Sequence, residues 1–224
     1  MQDANYEKAV KLLETLQSRY PYGRYAQQAL MEIAYANYKQ SEPDAALSAA
    51  DRFIKQFPNS PNLDYIFYLK GLVNFNDNAG FFSKLSSQDP AERDPQTLRD
   101  SFDSFRELVT RFPDSRYVED AKLRMQFLIN TLARSDISIA SYYLRRGAYI
   151  AAVSRANIVL KDFPHTRETR DALQIMVLAY NAMGLNDLRD DTQRVLDLNI
   201  AKDGIKPTIE DTLKQHGSWW QFWM

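Results

Sequence analysis

The side chains that most often carry catalysis or bind metal ions are scarce in this sequence. Its 224 residues include two histidines, His165 and His216, and no cysteine. This composition excludes disulfides, thiolate zinc sites and thiol catalysis, and it argues against a multi-histidine metal site. No glycine-rich phosphate loop, His-Glu-x-x-His motif or nucleophile elbow occurs. We therefore predict a protein that is not an enzyme and binds no metal ion or cofactor, and we interpret His165 as a solvated turn residue.

Three arginines around a predicted turn at Gly147 are candidates for binding a partner. Arg145 and Arg146 precede the turn, and Arg155 interrupts a largely apolar run that follows it. A guanidinium in such a run either extends to the edge of the apolar surface or meets a carboxylate of a partner. The residues alone leave both interpretations open.

Tyrosines of the first repeats are candidates for binding a peptide. The sequence has 13 Tyr against 12 Phe, and tyrosine combines apolar area with a polar end, as peptide grooves require. The candidates are Tyr20, Tyr22, Tyr25, Tyr35 and Tyr38. Packing between helices is the alternative, above all for Tyr20, whereas Tyr22 and Tyr25 flank Gly23 and are expected to be more accessible.

An aromatic cluster near residue 224 is the third candidate. It consists of Trp219, Trp220, Phe222 and Trp223, and it includes every tryptophan of the sequence. Such a cluster could cap the last helix pair, enter a membrane interface or dock on a partner. It could also occupy the peptide groove of its own chain, and the sequence does not choose between these roles.

Composition and charge exclude several classes of function. The sequence contains 28 Lys and Arg against 29 Asp and Glu, so the net charge is −1. No positive excess is available to hold a phosphate backbone, and we do not expect nucleic-acid binding. The chain is 45% hydrophobic, which supports a core, but no apolar run approaches the ~20 residues that span a bilayer. No signal peptide is recognisable at Met1.

An aromatic-proline pair divides the chain into repeats. The pairs are Tyr20-Pro21, Phe57-Pro58, Phe112-Pro113 and Phe163-Pro164. Twelve residues before each proline lies a small residue, and five before it lies a bulky apolar one; these positions share a helical face with the aromatic residue. The small residues are Ala9, Ala46, Ser101 and Ala152, and the bulky ones are Leu16, Phe53, Leu108 and Val159. Two residues after each proline comes a residue of helix-capping type, namely Gly23, Ser60, Ser115 or Thr166. The repeating unit is thus a helix, an aromatic-proline stop, a cap and a second helix.

The spacing of these pairs predicts an all-α solenoid of the tetratricopeptide (TPR) type. We expect about five helix pairs, the first incomplete, with a loop insertion at 77–94 and one long helix at about 116–146. The predicted helices are 4–20, 24–39, 43–57, 62–76, 95–112, 116–146, 148–163, 167–183 and 186–199. Residues 1–200 are predicted to form a single superhelical domain, and 201–224 a tail. A helical bundle without repeats is the alternative.

Several motifs resemble the BamD/ComL family of outer-membrane-protein assembly lipoproteins. The similar segments are 19–25, 51–54, 61–65, 80–82, 93–95, 142–143, 146–148 and 169–173, and the likeness runs from about Asn5 to Leu196. A generic TPR protein has neither the insertion with Gly80-Phe-Phe nor the extended helix before Arg146-Gly-Ala. The Trp-rich tail resembles the Neisseria-type members alone.

This resemblance implies a non-enzymatic scaffold and substrate receptor of the β-barrel assembly (BAM) complex. Family members lie at the periplasmic face of the outer membrane, bind the POTRA region of BamA and sister lipoproteins such as BamC and BamE, and receive unfolded barrel proteins. Arg155 matches the arginine that contacts BamA in the family, and the turn with Tyr20 matches the region implicated in contact with the substrate signal. The signal peptide and lipidated cysteine of the family are absent here, so the lipid anchor is implied by the resemblance.

A generic TPR adaptor that binds an acidic C-terminal peptide is the alternative function. Such clamps need several Lys, Arg and Asn side chains that face one groove. The first repeats offer a weakly cationic set, consisting of Gln27, Gln28, Glu32, Asn37 and Lys39.

Overall fold

The described residues form α-helices, most of which are joined by short turns. The computed structural model describes residues 5–79 apart from 22 and 24, residues 95–204, and residue 207. Within these residues it contains nine helices and no strand. They are α1 (Tyr6–Arg19), α2 (Ala26–Lys39), α3 (Pro43–Gln56), α4 (Leu63–Ala79), α5 (Pro95–Arg111), α6 (Val118–Arg145), α7 (Tyr149–Asp162), α8 (Glu168–Ala182) and α9 (Asn186–Asp203). The predicted all-α fold with TPR-type helix pairs is confirmed, and so is the long helix, here α6 with 28 residues.

Two helices end later than predicted. Helix α4 continues to Ala79, so the first three residues of the predicted loop at 77–94 are helical; the rest of that loop lies outside the described residues. Helix α9 ends at Asp203 rather than at residue 199, because Gly204 adopts a left-handed conformation with φ of 70° and terminates the helix there.

The four aromatic-proline turns have the same hydrogen bonds. In each, the N–H of the aromatic residue donates to the carbonyl four residues earlier, at 2.8–2.9 Å. The N–H three residues after the aromatic then donates to the aromatic carbonyl, at 3.0–3.2 Å. The carbonyl oxygens that accept the first bond belong to Leu16, Phe53, Leu108 and Val159, the bulky positions of the repeat. The repeat read from the sequence is therefore present in the backbone.

In the last three repeats these positions also form the core, whereas Ala9 and Leu16 of the first repeat are half-buried. The small residues Ala46, Ser101 and Ala152 are at most 1% exposed, and the bulky residues Phe53, Leu108 and Val159 are completely buried. Small side chains let the neighbouring helices approach closely, and the bulky ones fill the space beside them.

The chain divides into two compact units, Met1–Leu128 and Ile129–Met224. In the first unit, each helix from α1 to α4 packs on the next one, and the start of α6 contacts α4. In the second unit, the end of α6 packs on α7, α7 on α8, and α8 on α9. The single domain over residues 1–200 stays a prediction.

Candidate binding surfaces

The first aromatic-proline turn borders a small cavity. The cavity has a volume of about 280 Å³ and is lined by Leu16, Tyr20, Gly23, Tyr25 and Ala26. Gly23 permits the turn to close, because a Cβ at this position would lie 3.0 Å from the Cβ of Tyr20. Tyr20 and Tyr25 are 61% and 57% exposed. Two of the three tyrosines predicted at this turn are therefore accessible beside a cavity, while Tyr22 lies outside the described residues.

The other two predicted tyrosines lie on α2 and are half-buried. Tyr35 contacts Tyr6 edge to face, with ring centroids 6.5 Å apart, and it lies 6.5 Å from Tyr38. The ammonium group of Lys39 lies 5.8 Å from the centre of the Tyr35 ring. Both rings thus pack within the chain and keep part of their surface open to solvent.

Three further tyrosines that the sequence analysis did not select continue this aromatic surface. They are Tyr65 and Tyr68 of α4, and Tyr117, which precedes α6. Tyr117 stacks on Tyr68 with a centroid distance of 4.6 Å and lies 5.9 Å from Tyr65. Burial, then the neighbouring Tyr117, and then Glu32, Tyr35 and Tyr38 raise the pKa of Tyr65 to about 12. We define the tyrosine surface by the residues Tyr35, Tyr38, Tyr65, Tyr68 and Tyr117.

The sequence did contain a signal for part of this surface. Tyr65 and Tyr68 have the same three-residue spacing as Tyr35 and Tyr38, and residues three apart on a helix lie on one face. Tyr117 carried no such signal, because it reaches the surface from a different part of the chain.

One edge of the tyrosine surface is fixed by charges. The hydroxyl of Tyr68 donates to Asp120 at 2.6 Å, and Arg124 pairs with the same carboxylate at 2.5 Å. Burial raises the pKa of Asp120, but hydrogen bonds from Arg124 and Tyr68 outweigh this effect and lower the pKa below its ordinary value. The guanidinium of Arg124 also lies 4.8 Å from the centre of the Phe75 ring. These contacts orient the aromatic rings and suit a binding surface.

The turn between α6 and α7 presents arginines and apolar side chains together. Arg145 and Arg146 are exposed, as predicted for a contact site. Arg146 donates to the hydroxyl of Tyr142 at 3.3 Å, and its guanidinium lies 5.6 Å from the centre of that ring. Tyr142 is 48% and Ile150 is 79% exposed. We define the arginine turn by the residues Tyr142, Arg145, Arg146 and Ile150.

Arg155 is bound to a carboxylate of its own chain. Its guanidinium donates to Asp136 of α6 at 2.9 Å. The side chain of Asp136 is 7% exposed, whereas that of Arg155 is 35% exposed. Because a buried carboxylate needs a counter-charge, part of the role of Arg155 is structural. About a third of the Arg155 side chain remains exposed to solvent.

The remaining candidates add no reaction centre among the described residues. His165 is exposed in its turn, as predicted. No group of three acidic, histidine or cysteine side chains that could hold a metal ion occurs in the described part of the chain. Among the helices described, none has the length and apolar character required to cross a membrane. The predicted tail contacts Trp219, Trp220, Phe222 and Trp223 lie outside the described residues.

Comparison with known sequences assigns the family. The profile of the YfiO family, described as outer membrane lipoproteins, matches residues 1–196. A protein named outer membrane protein assembly factor BamD, from Neisseria meningitidis serogroup B, is 44% identical over 100% of this chain and 83% of its own length. The protein of that name from Pasteurella multocida is 37% identical over 89% of this chain and 76% of its own length. The chain belongs to the BamD (YfiO) family.

Membership in the BamD family confirms the resemblance that the sequence motifs indicated. The protein of the same name from Neisseria gonorrhoeae is 42% identical, again over 100% of this chain. The similarity to the Neisseria proteins thus includes the residues after α9. Both surfaces described above lie within the range that the profile of the BamD family matches.

Proposed function

We propose that this chain is a non-enzymatic scaffold and substrate receptor of the BAM complex, which inserts β-barrel proteins into the outer membrane. The observation that carries this proposal is similarity over the whole chain to relatives named outer membrane protein assembly factor BamD. The full-length protein is held at the periplasmic face of the outer membrane by a lipid anchor. Binding surfaces, rather than a reaction centre, perform its function.

The first unit receives the substrate. The cavity beside Tyr20 and Tyr25 has a volume of about 280 Å³, slightly below the roughly 300 Å³ at which pockets for drug-sized ligands begin. It therefore suits one large side chain, such as the terminal aromatic residue of an unfolded barrel protein. The tyrosine surface supplies further apolar contacts for an extended segment with alternating apolar residues.

Photo-crosslinking from position 25 tests the substrate role. A photoreactive amino acid in place of the exposed Tyr25 should capture a peptide with alternating apolar residues and a terminal Phe. Peptides of the same composition in scrambled order should be captured less, since their side chains do not alternate. The same probe at Ile150, which is 79% exposed, is the matched control and should capture neither peptide. Equal capture of ordered and scrambled peptides at position 25 would contradict a receptor role.

The second unit binds the POTRA region of BamA. The arginine turn combines two exposed guanidinium groups with the rings and apolar surface of Tyr142 and Ile150. Arginine and tyrosine are enriched at the centres of protein interfaces, where planar groups bind both apolar surface and carboxylates. Arg155 contributes through the part of its guanidinium that Asp136 does not cover. BamC and BamE, where an organism has them, are further partners in this proposal.

The pairing of Arg155 with Asp136 decides how its role in binding BamA is tested. Reversing the charge at Arg155 would place two carboxylates together and destabilise the chain, so loss of binding would be ambiguous. The double variant Asp136→Asn/Arg155→Gln instead removes both charges and keeps two side chains that can hydrogen-bond. It should retain the parent melting temperature and lose affinity for BamA, whereas Asp136→Asn alone should keep that affinity. Undiminished binding by the double variant would exclude Arg155 from the interface.

A clamp for acidic C-terminal peptides has no support among the residues predicted for it. Gln27 accepts a hydrogen bond from Ser60 at 3.0 Å, Asn37 is 8% exposed, and Lys39 lies over the Tyr35 ring. Peptides with acidic tails should therefore bind no more tightly than neutral ones. Affinity for acidic peptides that weakens as salt is added would favour this alternative instead.

A further inference from the structure

The proposed substrate cavity has no charged group of its own for the end of a bound chain. It is lined by Leu16, Tyr20, Gly23, Tyr25 and Ala26, none of which carries a charge at neutral pH. Such a lining suits the ring of a terminal aromatic residue, but a carboxylate inside it would lose its hydration without gaining a counter-charge. The terminal carboxylate of the substrate must therefore lie at the mouth of the cavity, where a cation would bind it.

Arg19 adjoins that mouth. It is the last residue of α1, directly before Tyr20, and it is exposed. It also follows Leu16 by three residues, and residues three apart on a helix are neighbours, with about 5–6 Å between their Cβ atoms. Arg19 is thus next to two of the residues that line the cavity, while it remains open to solvent itself.

The guanidinium of Arg19 is available to a ligand. The positions three and four residues before it are Leu16 and Thr15, so α1 places no acidic side chain where it would pair with Arg19. Among the residues that the structure describes, no side chain forms a hydrogen bond or an ion pair with Arg19. Arg52 of α3, by contrast, donates to Gln17. Arg19 therefore gives up no such contact with a described side chain when it binds a carboxylate.

The helix ends beside the cavity do not decide whether an anion binds there. Tyr20 is the C-cap of α1, and Tyr25 is the N-cap of α2. The partial charges of these two helix ends have opposite sign, so their effects on an anion oppose each other. The full positive charge of Arg19 is what favours a carboxylate at the mouth.

We propose that Arg19 binds the terminal carboxylate of the substrate while the terminal aromatic side chain fills the cavity. This inference rests on the proposed substrate role and makes Arg19 a residue that determines specificity. Arginine suits this role because its planar guanidinium donates two parallel hydrogen bonds to one carboxylate. The site then distinguishes the end of an unfolded chain from an aromatic residue within it, since only the end has the carboxylate.

A free-acid peptide and its C-terminal amide test the proposal. Both have the ordered, Phe-ended sequence and an N-terminal fluorophore, and fluorescence anisotropy gives their affinities for the whole chain. The parent protein should bind the acid about fivefold more tightly than the amide, as expected for a partly exposed ion pair. Arg19→Gln should bind the acid as weakly as the parent binds the amide, and its affinity for the amide should be unchanged. Arg99→Gln, which removes an exposed arginine of α5, is the matched control and should keep the preference for the acid.

A longer peptide tests whether the position of the carboxylate matters. Two uncharged residues added after the Phe move the carboxylate away from the ring in the cavity. The parent protein should bind this peptide no more tightly than the amide. Affinity equal to that of the original acid would contradict a contact between Arg19 and the chain end.

Three further results would overturn the proposal. The first is equal affinity of the parent protein for the acid and the amide, a comparison that needs no variant. The second is a preference for the acid that persists in Arg19→Gln. The third is an equal loss in Arg19→Gln and Arg99→Gln, which would indicate long-range charge attraction rather than contact. If neither ordered peptide binds better than its scrambled form, the proposed receptor function fails, and the role of Arg19 fails with it.

Discussion

The buried carboxylate of Asp136 gives its partner Arg155 a structural role. Replacing Arg155 by Ala would leave the carboxylate of Asp136, 7% exposed, without its counter-charge. We expect the free energy of unfolding to fall by about 1–3 kcal/mol, as measured by urea denaturation. Arg145→Ala removes an exposed arginine and should change stability by less than about 0.5 kcal/mol. Equal stabilities of the two variants would contradict a structural role for Arg155.

Gly71 is required by the close approach of α4 and α5. A Cβ at this position would lie within 2.7 Å of three atoms of the Phe105 ring, which is completely buried. Gly71→Ala should therefore destabilise the chain by about 1–3 kcal/mol through overpacking, measured as a lower midpoint of denaturation. The reference variant is Gly147→Ala, because its added Cβ meets no atom within 4 Å. This variant should lose about 1 kcal/mol of stability, from the strain of a left-handed backbone alone. Ala79→Gly is not a suitable reference, because it lowers helix propensity.

Tyr65 and Tyr68 should ionise later than the exposed tyrosines. The pKa of both is raised from 10.0 to about 12; burial is the largest cause, to which the neighbouring Tyr117 contributes at Tyr65 and the hydrogen bond to Asp120 at Tyr68. Because these pKa values are raised in the folded state, the stability they contribute is present below pH 10 and is lost as the pH rises toward 12. Absorbance at the wavelength of tyrosinate should show two late-titrating groups in the folded chain, and one of them should disappear in Tyr68→Phe. Ionisation of all tyrosines near pH 10 in the folded chain would contradict this expectation.

At the residue scale, the sequence alone predicted which side chains are exposed better than it predicted which side chains contact each other. The exposed arginines at the turn and the exposed Tyr25 could be found because turn position and residue type predict accessibility. The pairing of Arg155 with Asp136 could not, since the 19 residues between them give no indication that one carboxylate is buried. Tyr117 was missed for the same reason, as its contacts with Tyr65 and Tyr68 depend on how separate helices pack.

At the element scale, two of the aromatic-proline turns are hydrogen-bonded to a helix of the preceding pair, the turn before α4 to α2 and the turn before α6 to α4. The hydroxyl of Ser115 accepts from the N–H of Tyr117 and donates to Asp64, and that of Ser60 accepts from the N–H of Asn62 and donates to Gln27. Ser115→Ala and Ser60→Ala should each lower the free energy of unfolding by about 1 kcal/mol, measured by thermal or chemical denaturation. Ser48→Ala, at an exposed position within α3, should cost less than about 0.5 kcal/mol. Losses at the turns no larger than at Ser48 would mean that these hydrogen bonds contribute little.

Helix positions followed from the sequence because the stop signals were local. An aromatic residue before proline, a capping residue two positions later and a buried small residue are all visible without tertiary structure. The two helices that end later than predicted do so for different reasons. Helix α9 continues to Asp203, where the left-handed Gly204 ends it. Helix α4 continues through Asp77 and Asn78, although both residue types have low helix propensity.

At the scale of the whole molecule, the two proposed binding activities fall on the two compact units of the chain. The tyrosine surface and the cavity belong to the unit that ends at Leu128, and the arginine turn belongs to the unit that begins at Ile129. A chain that works by docking needs separate surfaces for separate partners, because one surface cannot hold substrate and BamA together. Substitutions in one unit should therefore impair one binding activity and leave the other intact.

Paired binding assays on two surface variants test this claim most directly. Tyr20→Ser/Tyr25→Ser should reduce affinity for the ordered, Phe-ended peptide at least about tenfold, the equivalent of 1.4 kcal/mol, and leave BamA binding unchanged. Arg145→Glu/Arg146→Glu should do the reverse, and both variants should keep the parent melting temperature. If either variant impaired both activities while remaining folded, or if neither impaired its own, the assignment of substrate and BamA to separate surfaces would be contradicted.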